Sequence, residues 1–430
     1  MNTQEFFAKH NFSADVDFAS LLAEFKRQMD AGLEGRASSL AMIPAFVSVD
    51  KAVPVGAPII VLDAGGTNLR VAVASFDESG AAKFEDLKKF AMPGTAGETL
   101  SEKVFFEKFA DYLAPVAERA ESVGFCFSYP TEITPELDGR LIRWTKQVAA
   151  PEVVGKMIGA GIAAALEKKT GRKISIKILN DTVATLLAGK SAGISRNYSS
   201  YCGFILGTGT NIAYIEANPN VKKISSLNDY GAMAINCETG GFDGAPRSDF
   251  DVEMDALTSD AGKGLFEKMI SGAYIGGLGL ALLKSAARDG LFSAPAANAI
   301  NTLASISTKD FDDFVANPFI KTSALAAVPF TDDDRRVVME IGEPIFIRAA
   351  NLTAANIAAA VLKSGGGRDK LHPVCVTVDG STYYKTRTGF FKSRVEEALR
   401  GILNSKGIYF EIIGISEAPM IGSAVAGLIS

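Results

Sequence analysis

The 430-residue sequence predicts an α/β protein built from two related halves. A glycine turn between two apolar runs occurs twice, as VLDAGGTNLRVAV at residues 61–73 and as FILGTGTNIAYI at residues 204–215. Each copy alternates branched and apolar residues in the way that predicts strand, tight turn and strand. Helical patterns alternate with short apolar strands around both copies, which favours α/β over all-β architecture. A chain of this length can form two domains with separate cores.

The first half is predicted to alternate helices and strands around the first glycine turn. Apolar residues recur at helical spacing before the turn and again after it, and the runs between them are short and apolar. In chain order the predicted elements are a helical region at 4–34, a connector at 44–58, the hairpin at 61–73, a helix at 101–120, a strand at 123–127, a helix at 151–169 and a strand at 174–179.

The second half repeats this alternation with more helix. Thr331 or Asp332 is a typical N-cap for a long region with two apolar helical faces. In chain order the predicted elements are the hairpin at 204–215, a Gly-rich loop at 231–249, a helix from Gly264 to about Leu283, an Ala-rich helical zone at 280–330, helical faces at 332–363, a strand at 374–378, a turn at 379–381, a helix at 392–404, a strand at 408–413 and a short helix at 419–429.

The composition excludes several classes of protein. A hydrophobic content of 47% and a charged content of 22% are typical of globular domains. The net charge of −5 gives no electrostatic basis for binding nucleic acid or an anionic membrane. No run approaches the roughly 20 apolar residues that span a bilayer, and the N-terminus lacks the features of a signal peptide. Four cysteines far apart in the chain indicate reduced, mostly buried thiols and a cytoplasmic location.

Both glycine turns suit an anion such as a phosphate. A turn of this kind can aim several backbone N–H groups and a threonine hydroxyl at one concavity. Gly66-Thr67-Asn68 aligns with Gly209-Thr210-Asn211, and Asp63 precedes the glycines of the first copy. Two copies indicate two related halves that face one phosphate chain.

A carboxylate is expected to do any acid–base chemistry, because His10 and His372 are far apart and have no Cys or carboxylate at ligand spacing. The strand ISIKIL ends directly at Asn180-Asp181-Thr182. The carboxyl end of a strand is where ligands meet an open α/β sheet, so Asp181 is the candidate base. The alternative is that these residues only cap the helix that follows them.

A series of sequence motifs resembles the hexokinase and glucokinase family. The motifs occur in the family's order and at similar spacings, and the resemblance covers most of residues 55–425. They are LDAGGTNLR (62–70), GFCFSYP (124–130), LIRWTK (141–146), NDTVATLLAG (180–189), ILGTGTN (205–211), EKMISGAY (267–274), IRAANLTAANIAAAV (347–361) and VDGSTYYKTRTGFF (378–391).

The resemblance implies the two-domain actin-like ATPase (ribonuclease H-like) fold, with mixed sheets and a cleft between the domains. The implied boundaries are an N-terminal helix and connector at 1–54, a small α/β domain at 55–180, a large α/β domain at 181–415 and a C-terminal helix at 416–430 that returns toward the small domain.

The implied activity is transfer of the ATP γ-phosphoryl group to the 6-hydroxyl of a hexose such as glucose, the first step of glycolysis. Positioning and charge stabilisation dominate such a transfer. Asp181 would accept the hydroxyl proton, and Lys146 would be the second catalytic residue. Asparagine, glutamate and lysine side chains provide the donors and acceptors that a polyol needs. The implied sugar ligands are Ser128, Thr145, Lys146, Asn180, Asp181, Asn211 and Glu238.

The resemblance places ATP and Mg²⁺ between the two glycine turns. Asp63 would hold Mg²⁺ through water, since Mg²⁺ usually keeps several waters; the alternative is a turn-stabilising Asx role. Arg70 would steady a phosphate or form an ordinary surface salt bridge. The implied nucleotide-site residues are Asp63, Gly65, Gly66, Thr67, Asn68, Arg70, Gly207, Thr208, Gly209, Thr210, Gly380, Ser381 and Gly422.

Three positions depart from the family pattern. Gly277 stands where the family usually has a sugar-contacting Glu, and Thr239 follows Glu238 where an aromatic is common. The terminal SEAPMIGSAVAG (416–427) keeps only part of the usual Gly-Ser-Gly run. The first two departures predict a tolerant sugar site, with glucose and mannose the leading pair. The third predicts that Pro419-Met420-Ile421 forms an apolar wall against the nucleotide base.

Other functions fit part of the pattern. A related kinase with another hexose or phosphoryl donor would share most motifs. A non-catalytic sugar sensor would not need both the base and the phosphate turns, and a chaperone or filament protein of the same fold would lack the SYP, WTK and NDTV segments. The predicted partners are a hexose and ATP, with no nucleic acid and no membrane, and the chain is expected to be a monomer or homodimer.

Overall fold

The computed structural model describes residues 2–144, 148–193 and 196–430. Its N-terminal segment contains α1 (Thr3–Lys9), α2 (Phe18–Leu33) and the short strand β1 (Ile43–Pro44). The helical region predicted at 4–34 is therefore divided. The chain turns at Asn11, whose φ of 54° is left-handed. Asp17 then caps α2, because its carboxylate accepts from two backbone N–H groups of the first turn.

The first half of the chain forms a five-stranded mixed sheet with two helices. Its elements are β2 (Ile59–Gly65), β3 (Asn68–Phe76), β4 (Ala82–Ala91), α3 (Glu102–Leu113), β5 (Ser122–Phe127), β6 (Thr131–Ile133), β7 (Gly139–Leu141), α4 (Ile158–Thr170) and β8 (Ser175–Leu179). The strand order is β4-β3-β2-β5-β8, while β6 and β7 pair separately. Phe105, Phe109 and Phe125 are fully buried in the core on which α3 packs.

The second half forms a six-stranded sheet that includes β1 and carries most of the helices. Its elements are α5 (Asp181–Ala192), β9 (Ser200–Leu206), β10 (Thr210–Ala217), β11 (Ala232–Asn236), α6 (Asp249–Ala256), α7 (Leu265–Ile270), α8 (Ile275–Arg288), α9 (Ala294–Thr302), α10 (Thr308–Ala316), α11 (Asp332–Lys363), β12 (Val374–Asp379), α12 (Ser381–Lys385), α13 (Phe391–Asn404), β13 (Phe410–Gly414) and α14 (Ala418–Ile429). The strand order is β1-β11-β10-β9-β12-β13. Thr331 caps α11 as predicted.

The two large sheets share one topology. In the first, β4, β3 and β2 are antiparallel and are followed by the parallel strands β5 and β8. In the second, β11, β10 and β9 are antiparallel and are followed by the parallel strands β12 and β13. The glycine turns occupy equivalent places, although residues 66–67 form the first and residues 207–209 the longer second turn. The predicted relation between the halves is confirmed.

The helix predicted from Gly264 to about Leu283 is wrong as one element, because the chain opens between α7 and α8. There the N–H groups of Gly272 and Ala273 donate to the carbonyl groups of Gly207 and Thr208 at 2.8 and 3.0 Å. A Cβ on Gly272 would lie 2.4 Å from a threonine hydroxyl of α12. The second glycine turn thus takes the hydrogen bonds that a continuous helix would need.

The C-terminal helix α14 returns to the first sheet. It packs against α5 and against β2 and β5. The contact requires glycine on both sides. A Cβ on Gly124 of β5 would lie 1.8 Å from the carbonyl oxygen of Ser423, and a Cβ on Gly422 would lie 1.7 Å from that of Ala184. α14 therefore links the helix that opens the second half to the sheet of the first.

The fold bears on the expectations for the cysteines and for membrane-spanning segments. The cysteines are free and buried, as predicted. Among the described helices, α11 is long and apolar enough to cross a membrane by length and composition alone, a candidate that the sequence analysis did not identify. However, 83% of its most apolar stretch is buried inside the protein. This burial is typical of a core helix.

Candidate active site

A cavity of about 650 Å³ is lined by residues of both halves of the chain. Its walls come from the segment after β5, the N-terminal end of α5, the second glycine turn and the carboxyl end of β11. Residues of β1 close another side, because this strand pairs with β11. The cavity therefore contains the end of β8, where the sequence placed the candidate base.

The first turn of α5 assigns different roles to two consecutive residues. Asn180 is the N-cap, and its side-chain oxygen accepts from the N–H of Thr182 at 2.8 Å. Asp181 is the first helical residue and lines the cavity, where its carboxylate accepts from the Thr182 hydroxyl at 3.2 Å. The capping alternative thus applies to Asn180, which also borders the cavity.

Two buried asparagines hold Glu238 at the cavity. Nδ2 of Asn236 donates to Oε1 of Glu238 at 2.7 Å. Nδ2 of Asn211 donates to Oδ1 of Asn236 at 2.6 Å and to the same glutamate oxygen at 3.3 Å. Glu238 itself has a φ of 58°, a strained value for a side-chain-bearing residue that is often found at functional sites. The structure thus brings together the predicted Asn211 and Glu238 and adds Asn236.

Glu267 is a further carboxylate that the sequence analysis did not select. It extends from α7 into the cavity, where Oε2 accepts from the N–H of Thr210 at 2.9 Å. A Cβ on Gly209 would lie 2.5 Å from the same oxygen, so the glycine leaves the space that this carboxylate fills. Glu267 is the first residue of the EKMISGAY motif. That position in a family motif was the signal that could have identified it.

The carboxylates perturb one another electrostatically. Burial in the cavity raises the pKa of Glu238, and the neighbouring charges of Asp181 and Glu267 raise it further, although the hydrogen bond from Asn236 opposes this shift. Burial also raises the pKa of Glu267, against the effect of the Thr210 N–H. A ligand that donates hydroxyl hydrogen bonds would stabilise the ionised forms of both glutamates.

The structure describes one of the three sugar ligands that were predicted from the first half before Asn180. Ser128 lines the cavity, and its N–H donates to the carbonyl of Ala64 at 3.3 Å. Thr145 and Lys146 lie outside the described residues. Directly before them, Trp144 donates from Nε1 to a backbone carbonyl at 2.8 Å.

The first glycine turn presents accessible backbone between β2 and β3. Gly65, Thr67 and Asn68 are exposed, and Gly66 has a φ of 79°, which favours glycine. These four predicted residues therefore lie together at the accessible end of the hairpin, with Gly66 half-buried. An anion could approach that end of the hairpin without a steric barrier from large side chains.

Arg70 holds the carboxylate that precedes this turn. Its Nε and Nη2 atoms donate to Oδ2 of Asp63 at 2.8 and 2.5 Å. Its Nη1 atom contacts the carboxylate of Glu417, directly before α14. Arg70 therefore forms a salt bridge, which is one of the two predicted alternatives, and it orients Asp63.

The second glycine turn is held by hydrogen bonds to elements from distant parts of the sequence. The N–H of Gly207 donates to the carbonyl of Gly209 at 2.9 Å, and the carbonyl of Gly207 accepts from a hydroxyl of α12 at 2.8 Å. A Cβ on Gly207 would lie 3.6 Å from Cα of Gly380 and 3.7 Å from the nitrogen of Ser381. Thr208 and Gly209 line the cavity. Five predicted residues are therefore brought together.

Two residues of the predicted nucleotide site and one residue of the predicted base wall have other contacts. The hydroxyl of Thr210 donates to a strand carbonyl at 3.0 Å, and its N–H donates to Glu267, so both donors serve the protein. Gly422 is buried against Ala184 and does not line the described cavity. Met420 is 1% exposed and packs in the core. Met420 is therefore wrong as part of the predicted apolar base wall, because α14 directs this side chain inward, whereas Pro419 and Ile421 are partly exposed.

The structure also locates Gly277 and Thr239, the two residues that depart from the family pattern in the predicted sugar region. Gly277 is an exposed residue of α8 outside the cavity lining, and a Cβ there would have Met254 as its nearest neighbour at 3.4 Å. Thr239 is buried, and its hydroxyl accepts from Asn356 of α11 at 3.2 Å. Glu267 supplies a carboxylate to the cavity. The tolerance for more than one hexose inferred from Gly277 and Thr239 stays a prediction.

The described residues offer a metal few protein ligands. Among the described residues, no group of three or more His, Cys, Asp or Glu side chains is arranged to hold a metal ion. Asp63 offers one carboxylate beside the exposed first turn. One carboxylate, with waters and phosphate oxygens completing the shell, is a typical donor set for Mg²⁺. The residues present therefore fit a nucleotide-borne Mg²⁺.

Two family models described as hexokinase match the chain, one over residues 3–191 and the other over residues 201–429. Hexokinase-3 of Homo sapiens is 30% identical over 387 residues, which are 85% of this chain and 40% of that protein. Hexokinase-1 of Oryza sativa subsp. japonica is 29% identical over 442 residues, which are 95% of this chain and 86% of that protein. The chain thus spans less than half of the human relative and most of the rice relative.

A solved structure extends the similarity to three dimensions. The hexokinase from Schistosoma mansoni complexed with glucose has a TM-score of 0.76 and 26% sequence identity to this chain. The alignment covers 99% of both chains. The two-sheet architecture described above is therefore shared over the whole length.

Proposed function

The chain belongs to the hexokinase family, and we infer that it transfers the γ-phosphoryl group of ATP to the 6-hydroxyl of a hexose. Family models cover both halves, and the predicted actin-like ATPase fold is confirmed by the structural match. The observation that carries the proposal is the cavity in which Asp181 meets Asn211, Glu238 and Glu267. A base and several hydrogen-bonding groups lie there beside the second glycine turn.

The reaction needs little covalent chemistry from the protein. The hexose hydroxyl oxygen bonds to the γ-phosphorus while the bond to the β–γ bridging oxygen breaks and ADP leaves. The hydroxyl proton passes to the carboxylate of Asp181, a contribution of about 10²–10⁴-fold to the rate. The alternative of a non-catalytic sensor is not favoured, because the base, the polar cavity and both glycine turns are all present.

The cavity is suited to a polyol. Glu238 and Glu267 accept hydrogen bonds, while Ser128 and Asn211 provide both donors and acceptors. By resemblance, Thr145 and Lys146 add contacts from the first half. Glucose is the proposed hexose, and mannose or another hexose is the second candidate.

Mg²⁺ is the proposed metal. Asp63, oriented by Arg70, would hold it through water beside the first glycine turn. When bound, the ion neutralises charge on the phosphates. Thr67 and Thr208, one on each turn, offer hydroxyl groups to the phosphate oxygens of ATP.

A coupled assay of ADP release tests the proposal directly. A panel of hexoses is combined with ATP, GTP and pyrophosphate as donors, with Mg²⁺ present or chelated. We expect sugar-dependent ADP release with ATP and Mg²⁺, and a hexose 6-phosphate as the product by NMR. Saturation with a hexose that yields no phosphorylated product would instead favour the sensor.

A cytoplasmic location and a monomeric or homodimeric state remain proposals. Free, buried cysteines support a reducing compartment. Light scattering after size exclusion would measure the mass, and fractionation of the source cells would locate the activity.

A further inference from the structure

Tyr129 contacts both the first glycine turn and the wall on the sugar side of the cavity. Its side chain is 3% exposed. Its ring packs edge-on against Trp144, with centroids 5.0 Å apart, and its hydroxyl donates to the carbonyl of Gly66 at 2.6 Å. Trp144 directly precedes Thr145 and Lys146, which the resemblance assigns to the sugar. One buried side chain thus joins the regions proposed for the two substrates.

The hydrogen bond from Tyr129 fixes a peptide unit rather than a side chain. The carbonyl of Gly66 and the N–H of Thr67 belong to one planar peptide, and the described residues contain no cis bond. Anchoring the oxygen therefore also sets the direction of the N–H. Gly66 has a φ of 79°, a left-handed conformation that residues with a Cβ rarely adopt.

The loop that carries Tyr129 is itself firmly held. The N–H of Ser128 donates to the carbonyl of Ala64 at 3.3 Å, and the N–H of Ile142 donates to the carbonyl of Pro130 at 2.9 Å. Burial raises the pKa of Tyr129 to about 12, so the hydroxyl keeps its proton and remains a donor. The hydroxyl that anchors the glycine turn is therefore itself held in place.

We propose that Tyr129 is a positioning residue for the nucleotide, whose hydroxyl holds the Gly66–Thr67 peptide unit in the orientation that receives a phosphate oxygen. This inference rests on the proposed function, since it assigns the first turn to the phosphates of ATP. A phenylalanine would fill the same space and keep the contact with Trp144. The hydroxyl alone carries the proposed effect.

The test is Tyr129→Phe, with Tyr198→Phe as the matched control. The hydroxyl of Tyr198 donates to Glu411 at 2.8 Å, at the opposite end of β9 from the second glycine turn. Calorimetry measures the binding of MgADP and, separately, of glucose, and steady-state kinetics give KM for ATP and for glucose. For Tyr129→Phe we expect MgADP affinity to fall and KM for ATP to rise by about three- to tenfold, the effect of one hydrogen bond. Glucose affinity and all values for Tyr198→Phe should stay within about twofold of the unaltered protein.

The outcomes separate this inference from the proposed function. Unaltered MgADP affinity in an active Tyr129→Phe protein, or equal losses of nucleotide and glucose affinity, would overturn the positioning role alone. A protein that phosphorylates no hexose but shows the selective loss of MgADP affinity would contradict the proposed function and leave the positioning role intact. Absence of MgADP binding by the unaltered protein would overturn both.

Discussion

At the scale of single residues, Asp181 is placed by the helix that it begins. Asn180 satisfies the cap, so the carboxylate that follows is directed to the cavity rather than to the backbone. Asp181→Asn is nearly isosteric, and we expect hexose binding to persist while turnover falls by at least about 10²-fold. Calorimetry measures whether glucose binding persists, and kcat measures the loss of turnover. Turnover within about threefold of the unaltered protein would show that Asp181 is not the base.

Substitutions at Glu267 and at Gly277 should affect glucose binding differently. Glu267→Gln removes a charged acceptor from the cavity and should weaken glucose binding by about 1.5–3 kcal/mol. Gly277→Glu adds a carboxylate on an exposed face of α8 and should leave KM for glucose unchanged, since residue 277 does not line the cavity. A lowered KM for glucose in Gly277→Glu would support the sequence-based interpretation that this glycine weakens the sugar site.

The raised pKa values of Glu238 and Glu267 predict a pH dependence. Between the ordinary glutamate value of about 4.3 and the raised folded values, the unliganded fold keeps protons that the unfolded chain has released. The free energy of unfolding of the unliganded protein should therefore fall as pH rises through this interval.

Hexose affinity should increase as pH rises through the same interval, because hydroxyl donors favour the ionised carboxylates. Binding should therefore release protons, which calorimetry in buffers of different ionisation enthalpy would detect. Glu238→Gln and Glu267→Gln should each reduce that release. Affinity independent of pH in this interval would contradict the assignment of these carboxylates as sugar acceptors.

At the scale of elements, close approach of α14 and α5 depends on the absence of one Cβ. Gly422→Ala would place that atom 1.7 Å from the carbonyl oxygen of Ala184, so we expect a loss of stability of at least about 1–3 kcal/mol. Gly401→Ala in α13 is the control, because nothing lies within 4 Å of its Cβ position. That change should stabilise the protein by about 0.5–1 kcal/mol. Urea denaturation midpoints measure both effects, and equal midpoints would refute the packing argument.

At the scale of the whole molecule, the cavity takes its walls from both halves. Ser128 follows a strand of the first sheet, whereas Asn211, Glu238 and Glu267 belong to the second half. A hexose should therefore draw the halves together and exclude water, which would otherwise accept the phosphoryl group. We expect small-angle scattering to show a smaller radius of gyration with saturating glucose. Asp181→Asn should still compact, and an unchanged profile for the unaltered protein would exclude sugar-driven closure.

The sequence alone determined the features that depend on local pattern. Alternating apolar residues and paired glycines predicted both hairpins, and a threonine before an acidic first turn predicted the start of α11. The direct succession of strand and helix at Asn180 placed Asp181 at a sheet edge. These features follow from strand alternation, helix capping and the backbone freedom of glycine, all of which act between near neighbours in the chain.

The tertiary structure alone decided which distant residues meet. Glu267 lines the cavity and accepts from the N–H of Thr210, which lies 57 residues earlier in the chain. Arg70 pairs with Glu417 from the far end of the sequence. Met420 and Gly422 became packing residues because α14 lies against α5. Such contacts depend on how whole elements approach one another. Burial and steric fit between distant segments set that approach, and the local sequence of each segment does not show which partner it will meet.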